Sequence, residues 1–497
     1  MPRLRLIAVS AVVLSAALPA GAQGSRTQLS VFQDDEQLVL SGAAARERTL
    51  DDLQRLGADT VHSIVFWHKV APAPLSTKRP SFNGADPATY PPELWDGYDD
   101  LVRGAVARGL DLMLSPSSPM PAWASECAGS RKLRKTCRPN LTQFKRFVQA
   151  LGVRYSGEYK DENQSKATLP RVARWSIWNE PNQGGWLQPQ YARGVAVSPQ
   201  IYRELVRAAI KGLRASGHSD DDILLGETAP IGRVSGPAST RPIPPGQFLR
   251  GVFCLDARGR GLRGAAAAAL GCAGYRKLAV TGISHHPYTR GGSQPPTSKG
   301  NASEITIASI GRLKSLLRQA SRRGRIPGGL PIYYTEYGFQ TNPPDTNFGV
   351  SLTQQAAYLN QSDWMVYRDR QVRSVAQYEL RDEPALSAFQ TGLRFVDGRP
   401  KPSFEAYRFP IWVTKSGASL RVWGQLRPID DGEVEDVVVE GSADGQSFTT
   451  LEIVRTTNRK GFVEASVSPG ANRYWRLRWT PKDGGATITS RVAGIGR

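Results

Sequence analysis

Two glutamates stand out by their setting. Glu180 lies in Trp175-Ser-Ile-Trp-Asn-Glu-Pro-Asn182 and Glu336 in Ile332-Tyr-Tyr-Thr-Glu-Tyr-Gly-Phe339, so each closes a β-prone run and is followed at once by Pro or by Tyr-Gly. Two carboxyl groups facing one another across a glycosidic bond, one protonated and one ionised, can cleave it without a cofactor. The neighbours suggest which is which. Trp175 and Trp178 beside Glu180 would form a partly apolar wall that keeps a proton on its carboxyl, as a general acid needs. Tyr333, Tyr334 and Tyr337 around Glu336 would supply phenol donors that hold an ionised nucleophile. A plain helix-capping role for Glu180 is the competing reading, and the matching second glutamate counts against it.

Such a pair needs two strand ends on one rim. Apolar β-prone runs alternate with helical patterns, from Leu29 to Gln33, Ser63 to Trp67, Asp111 to Ser115, Ala173 to Trp178, Ile223 to Gly226, Gly282 to Ser284, Ile332 to Thr335 and Val375 to Tyr378. That alternation predicts a parallel sheet of βα units, and eight of them an α/β fold of the (β/α)8 TIM-barrel kind. Leu94 to Arg108 and Ile305 to Arg323 show helical periodicity, which places their Arg and Lys residues on a wet outer face. From Ile411 onward the pattern changes to short strands between Gly, Asp and Pro turns: Ser419 to Trp423, Val437 to Glu440, Thr449 to Val454, Phe462 to Val467 and Arg473 to Trp479. The expected organisation is a catalytic barrel over 23–410 and a small C-terminal all-β sandwich over 411–497, an accessory domain that supports the barrel in preference to binding glycan.

Residues 1–22 read as a signal peptide, with Arg3 and Arg5, an apolar stretch from Leu6 to Leu18 and small residues at Ala20-Gly-Ala22. The apolar stretch is about 13 residues, short of the roughly 20 that a spanning helix needs. A secreted or extracytoplasmic protein of bacterial type is therefore expected, with no integral membrane segment after signal removal. Four cysteines fall into two local pairs, Cys127 with Cys137 and Cys254 with Cys272, which predicts two loop-closing disulfides in an oxidising compartment. The lack of a Cys-x-x-Cys spacing argues against zinc, and adjacent His285 and His286 on a strand point to opposite faces, so neither metal nor cofactor is expected. The formal charge is +20, and residues 411–497 hold 12 basic and 10 acidic side chains, so the basicity belongs to the barrel. Lys and Arg are spread over many helices rather than interleaved with aromatics on one module, which argues against nucleic acid. A solvated basic surface is the first reading of that charge and an anionic glycan partner the second.

Trp178-Asn-Glu-Pro-Asn182 together with Thr335-Glu-Tyr-Gly338 resembles the retaining glycoside hydrolases of clan A, nearest to family 39 and less closely to family 5, over about residues 25–410. The resemblance implies Glu180 as acid/base, Glu336 as nucleophile and a contact from Asn179 to the sugar 2-hydroxyl. Ser284-His-His-Pro-Tyr288 is similar to the segment that binds sugar or the nucleophile, which brings in His286 and Tyr288. One departure is the absence of an Arg at the second strand end, where Trp67-His68-Lys69 stands; His68 or Lys69 is the expected substitute cation. Glu379 leads the other strand-end carboxylates, Asp34, Asp35, Glu227 and Asp382, as a hydroxyl-binding group. Trp67, Trp123, Trp186 and Trp364 are candidate sugar platforms, with core packing an equal alternative for each. A cleft wall built by the Cys127 to Cys137 loop tilts the expectation toward exo action, and the resemblance toward an arabinoside or xyloside in an extracellular glycan or glycoside. An endo-acting glycanase, a transglycosidase and a non-catalytic glycan-binding protein are the alternatives, the last opposed by retention of both glutamates.

Overall fold

The computed structural model describes residues 25 and 27–496, apart from 165–166, 430–431 and 458–459. The expected signal peptide and its cleavage point lie outside the described residues. Eight parallel strands are present: β1 Leu29–Gln33, β2 Thr60–Phe66, β3 Asp111–Ser117, β4 Arg174–Ile177, β5 Asp222–Thr228, β6 Gly282–His285, β7 Ile332–Tyr334 and β8 Val372–Tyr378. They close a barrel in the order β1-β8-β7-β6-β5-β4-β3-β2, as the alternation predicts. Around them lie α1 Ala43–Leu56, α2 Asp96–Ala107, α3 Leu141–Arg154, α4 Ser198–Ala215, α5 Pro245–Val252, α6 Gly311–Arg322, α7 Leu352–Tyr367 and α8 Pro402–Arg408.

Period-two alternation sets what faces inward. Along β2, Val61 and Val65 join the apolar layer under the helices, whereas His62 points into the barrel and Ile64 reaches its upper mouth. Leu29, Met113, Leu224 and Tyr333, from β1, β3, β5 and β7, pack into one floor layer, the alternate-strand layering of such barrels. Above that floor the interior turns polar, with His62, Ser115, Ser176 and Ser284 all fully buried. Buried hydroxyls are tolerated when paired, and Ser176 Oγ lies 2.7 Å from Ser284 Oγ across the barrel.

The helices fix the strand ends. On α4, Tyr202, Leu205, Val206, Ala209, Ile210 and Leu213 form a buried stripe at three- and four-residue steps. The Tyr202 hydroxyl donates to the Ile177 carbonyl at 2.9 Å and accepts from the Gly226 N–H at 2.7 Å, tying the tips of β4 and β5 together. Helix α7 starts with a capping box, Ser351 with Gln354. Both expected disulfides are formed, Cys127–Cys137 with Cα atoms 5.9 Å apart and Cys254–Cys272 at 5.8 Å.

The C-terminal part forms two antiparallel sheets from β9 Ile411–Ser416, β10 Ser419–Gln425, β11 Asp436–Ser442, β12 Thr449–Arg455, β13 Phe462–Val467, β14 Tyr474–Trp479 and β15 Ile488–Thr489. One runs β9-β10-β13 and the other β12-β11-β14-β15, around Ile411, Val413, Val422, Val439, Trp475 and Leu477. Strands β9 and β15 were not legible as separate runs. Trp412, Trp423 and Phe462 pack on Trp364 and Tyr367 of α7, so Trp364 belongs to this contact and is no sugar platform. Buried Arg427 reaches from the sandwich into the barrel, donating to Ser30 Oγ (2.9 Å), to Asp363 Oδ1 (3.0 Å) and to the Tyr407 carbonyl. Ser30 lies near the start of β1, the end opposite the rim that carries the two glutamates.

Candidate active site

Glu180 and Glu336 reach the same rim from β4 and β7. Beyond Ile177 the chain leaves strand geometry: Trp178 has φ 69° and Glu180 φ 36°, left-handed values for residues with a Cβ. Such conformations cost of order 1–3 kcal/mol each and persist where surrounding contacts hold them. The Glu180 N–H donates to the Glu227 carbonyl at 3.0 Å. Asn182 clamps the same loops, its amide donating to the Ala229 and Ile243 carbonyls (3.2 and 3.0 Å) and accepting from the Ala229 N–H (2.9 Å). The final Asn of the motif is thus a fastener for the backbone that aims Glu180.

Glu227 sits where the register between β5 and β6 slips, between Gly226 and Thr228, and has φ 53°. Bulges of this kind re-aim one side chain beside a site. At Gly226, φ is 138° and a Cβ would stand 2.1 Å from the Ser284 carbonyl oxygen, so the strands approach this closely only with glycine. The slip turns the Glu227 carboxyl into the barrel, where Oε1 lies 2.9 Å from His62 Nε2 and accepts from Ser115 Oγ at 2.7 Å. With the Asn179 amide oriented to suit both neighbours, its nitrogen donates to Glu227 Oε2 (3.2 Å) and its oxygen accepts from the Trp186 indole (3.3 Å). Burial opposes the Glu227 charge, but His62, His286 and the Ser115 hydroxyl hold this carboxyl below its ordinary range. Burial likewise opposes charge on His62, and Glu227 and Asp35 outweigh it, so that its pKa is raised. A fully buried ion pair therefore underlies the rim.

His286 joins the pair above. Its Nδ1 lies 3.1 Å from Glu180 Oε1 and 3.5 Å from Glu336 Oε2, and the ring is completely buried. The Tyr288 hydroxyl donates to Glu336 Oε1 at 2.9 Å. Burial works against the imidazolium, yet Glu336, Glu180 and Glu227 prevail and push its pKa up to about 9. Glu336 is pushed up to about 7, chiefly by burial; His286 and the Tyr288 hydroxyl pull it down while Glu180 and Glu227 push it further up. Donor atoms of Glu180, His286 and Glu336 lie within 4.8 Å of one another. His286 Nδ1 is within hydrogen-bonding distance of Glu180 Oε1, so the trio forms a hydrogen-bonded cluster.

The rim opens into a cleft of ≈ 460 Å³ lined by, among others, Asn179, Glu180, Trp186, Tyr288, Glu336 and Glu379, six of the residues expected at the site. His286 lies beneath, between the carboxylates, placed to tune them rather than to touch sugar. Three expected contacts stand elsewhere. Trp67 begins a short helix and is fully buried, stacked on Phe147 and edge-on to Trp123. Trp123 donates its indole to the Pro72 carbonyl, and His68 donates from Nδ1 to the Pro119 carbonyl. The imidazole beside Glu336 is therefore that of His286, with His62 below, and neither His68 nor Lys69 stands there. Neither Trp175 nor Trp178 walls Glu180: Trp175 packs edge-on to His218, and Trp178 packs on Phe144. The phenol that serves Glu336 is Tyr288; Tyr333 is in the floor layer and Tyr337 is hydrogen-bonded to Ser362. His285 is structural, between Thr228 and the Ile305 carbonyl, with burial pushing its pKa down to about 4. Asp34 accepts backbone N–H groups from Gln37, Leu380 and Arg381, and Asp382 pairs with buried Lys401, so both fasten loops.

Among the described residues, the lining includes Asp35, Glu36, Glu180, Glu336, Glu379 and Glu383 but neither Lys nor Arg. The positive charge of the barrel is thus not carried into its cleft. Residues 127–137 are absent from the lining too: that disulfide loop pairs with the segment at Gln188, so the wall it was expected to build is formed by other loops.

No family model matches the chain, and no curated protein matches it by sequence. Among solved structures, a glucosidase from Croceicoccus marinus superposes with a TM-score of 0.50 at 12% identity, covering 90% of this chain and 94% of that one. The fold is shared with a glucosidase. A GH5_18 protein from Streptomyces cattleya in complex with GlcNAc gives a TM-score of 0.48 at 14% identity over 77% of this chain and 79% of its own. A family 1 β-glucosidase from Thermotoga maritima gives 0.45 at 13% over 78% and 96%. Likeness at such identity speaks for the barrel alone, and the family 39 resemblance rests on the two sequence motifs.

Proposed function

We propose that this chain is a retaining glycoside hydrolase in which Glu180 is the acid/base and Glu336 the nucleophile. One observation carries the reading: carboxyl oxygens of the two glutamates approach within 4.8 Å around a shared imidazolium. Retaining enzymes hold their carboxyl groups about 5–5.5 Å apart, whereas inverting ones leave roughly 6.5–9.5 Å for a water. In the first step Glu180 gives its proton to the glycosidic oxygen as Glu336 attacks the anomeric carbon, forming a glycosyl ester and releasing the aglycone. In the second, Glu180 takes a proton from water, which attacks the anomeric carbon, breaks its bond to the Glu336 carboxylate and frees the sugar. His286 faces both carboxyls and favours the ionised form of Glu336, and Tyr288 aims Glu336.

A cleft of ≈ 460 Å³ suits a short glycone and supports exo action. Two disulfides and the N-terminal signal reading fit an extracytoplasmic enzyme acting on an extracellular glycan or glycoside. The test is turnover of a panel of aryl α- and β-glycosides, pentofuranosides included, by the wild type and by the Glu180→Gln and Glu336→Gln variants. Release by the wild type alone supports the assignment. Equal release by Glu336→Gln, or sugar binding without any turnover by the wild type, overturns it.

A further inference from the structure

Continuous with the catalytic cleft lies a second pocket of ≈ 260 Å³, whose walls come from the segments after β6, β7 and β8. Tyr288 and Phe389 line both spaces. The tyrosine that donates to Glu336 at 2.9 Å is thus also a wall of this side pocket. Phe389 is held edge-on to Tyr378, with ring centroids 4.9 Å apart, while Phe348 lines the side pocket and not the cleft. Phe348 is 55% exposed and Phe389 38%, and Leu386 in the same loop as Phe389 is 65% exposed. Large apolar side chains left in water next to a cleft mark a surface that a ligand covers.

The chemistry of the two spaces differs. The cleft offers Glu36, Glu379 and Glu383 to sugar hydroxyls, whereas among the described residues no charged side chain lines the side pocket. Its polar groups are mostly engaged. The Tyr288 hydroxyl is given to Glu336, the Gln340 side-chain oxygen accepts the Gln390 N–H, and the Thr391 carbonyl accepts from Gln355 and Gln377. The Thr391 hydroxyl oxygen is itself buried from solvent. A sugar ring in this pocket would lose water from several hydroxyls and find few partners, a cost that an apolar group does not carry.

Position selects the part of a substrate that reaches it. Glu336 and Glu379 in the cleft are 7% and 2% exposed, so the glycone is the buried part. The side pocket lies beside half-exposed Phe348, at the solvent edge where the group beyond the glycosidic oxygen emerges. Building on the hydrolase reading, we infer that this pocket seats an apolar aglycone, an alkyl chain or an aromatic ring, and that the substrates are glycosides of hydrophobic alcohols or phenols in preference to chains of sugars.

The test compares kcat/KM for the hexyl and methyl glycosides of the glycone that the aryl panel identifies, in the wild type and in the Phe348→Ala and Phe348→Tyr variants. The two leaving alcohols are nearly equal in acidity, so the ratio reads aglycone binding and not leaving ability. Each buried methylene is worth about fourfold, so a hexyl preference of about tenfold or more is expected in the wild type, falling about threefold or more in Phe348→Ala. Phe348→Tyr keeps the ring and should keep the preference. A merely structural role would lower both substrates together and leave the ratio unchanged. As a measurement independent of turnover, calorimetric titration of the Glu336→Gln variant with hexyl and with methyl β-glucoside is expected to show the same order. Equal use of the two glycosides by the wild type, a ratio unmoved by Phe348→Ala, or better use of a disaccharide than of the hexyl glycoside overturns the apolar subsite while leaving the hydrolase reading intact. Turnover that survives Glu336→Gln overturns the hydrolase reading instead.

Discussion

Replacing His286 with Gln removes the cation between the two carboxylates while keeping an amide donor in its place. In the wild type that imidazole is lifted from 6.5 to about 9, about 2.5 units, even though burial opposes its charge. At 1.36 kcal/mol per unit this is about 3 kcal/mol of net attraction to Glu336, Glu180 and Glu227. The coupling is reciprocal, so its loss raises Glu336 further. Glu336, already pushed up to about 7, moves higher, and a smaller fraction of it is ionised at pH 7. The acid limb of kcat/KM for the best aryl glycoside should move to higher pH, with severalfold lower activity at pH 7. An acid limb that stays at about pH 7, or a loss of equal size at every pH, would refute the electrostatic role and leave only a geometric one.

Three further outcomes are expected. The folded pKa of His286 exceeds its unfolded value of 6.5, so its stabilisation is complete below about pH 6.5 and lost as pH rises through about 9; urea midpoints should fall across that window, less steeply in His286→Gln. Glu227→Ala strands the His62 imidazolium in the barrel and should cost about 3–5 kcal/mol in urea unfolding, whereas Glu227→Gln should cost less. Trp423→Ala opens a hole between sandwich and barrel, where the indole is fully buried; it should cost about 3–5 kcal/mol of stability with KM unchanged, and truncation after Pro410 should give an insoluble barrel. A soluble, active truncated barrel would show that the sandwich has another role.

The barrel was legible because βα alternation repeats eight times. Glu180 and Glu336 were legible because each ends a β run at a turn-forming neighbour, and Tyr288 through family likeness. His62 was missed: inside Thr60–Phe66 one imidazole looks like any polar residue on a half-wet strand, and only its inward register, shared with Ile64, could have flagged it. The indoles misled for a related reason. Trp67 stands one residue past β2, where a helical turn swings it into the core, and Trp178 adopts φ 69°, which no strand pattern foretells. Glu383 carries no periodic signal and meets Glu379 only because the segment after β8 folds back.

The most direct test of the double-displacement assignment is to trap the ester. Wild-type protein incubated with the 2-deoxy-2-fluoro analogue of its best glycoside and then weighed intact should gain the mass of one fluoroglycosyl unit, mapped by peptide fragmentation to Glu336 and absent in Glu336→Gln. A label on a different residue, or turnover with inversion at the anomeric carbon and no adduct, would remove Glu336 from the nucleophile's place.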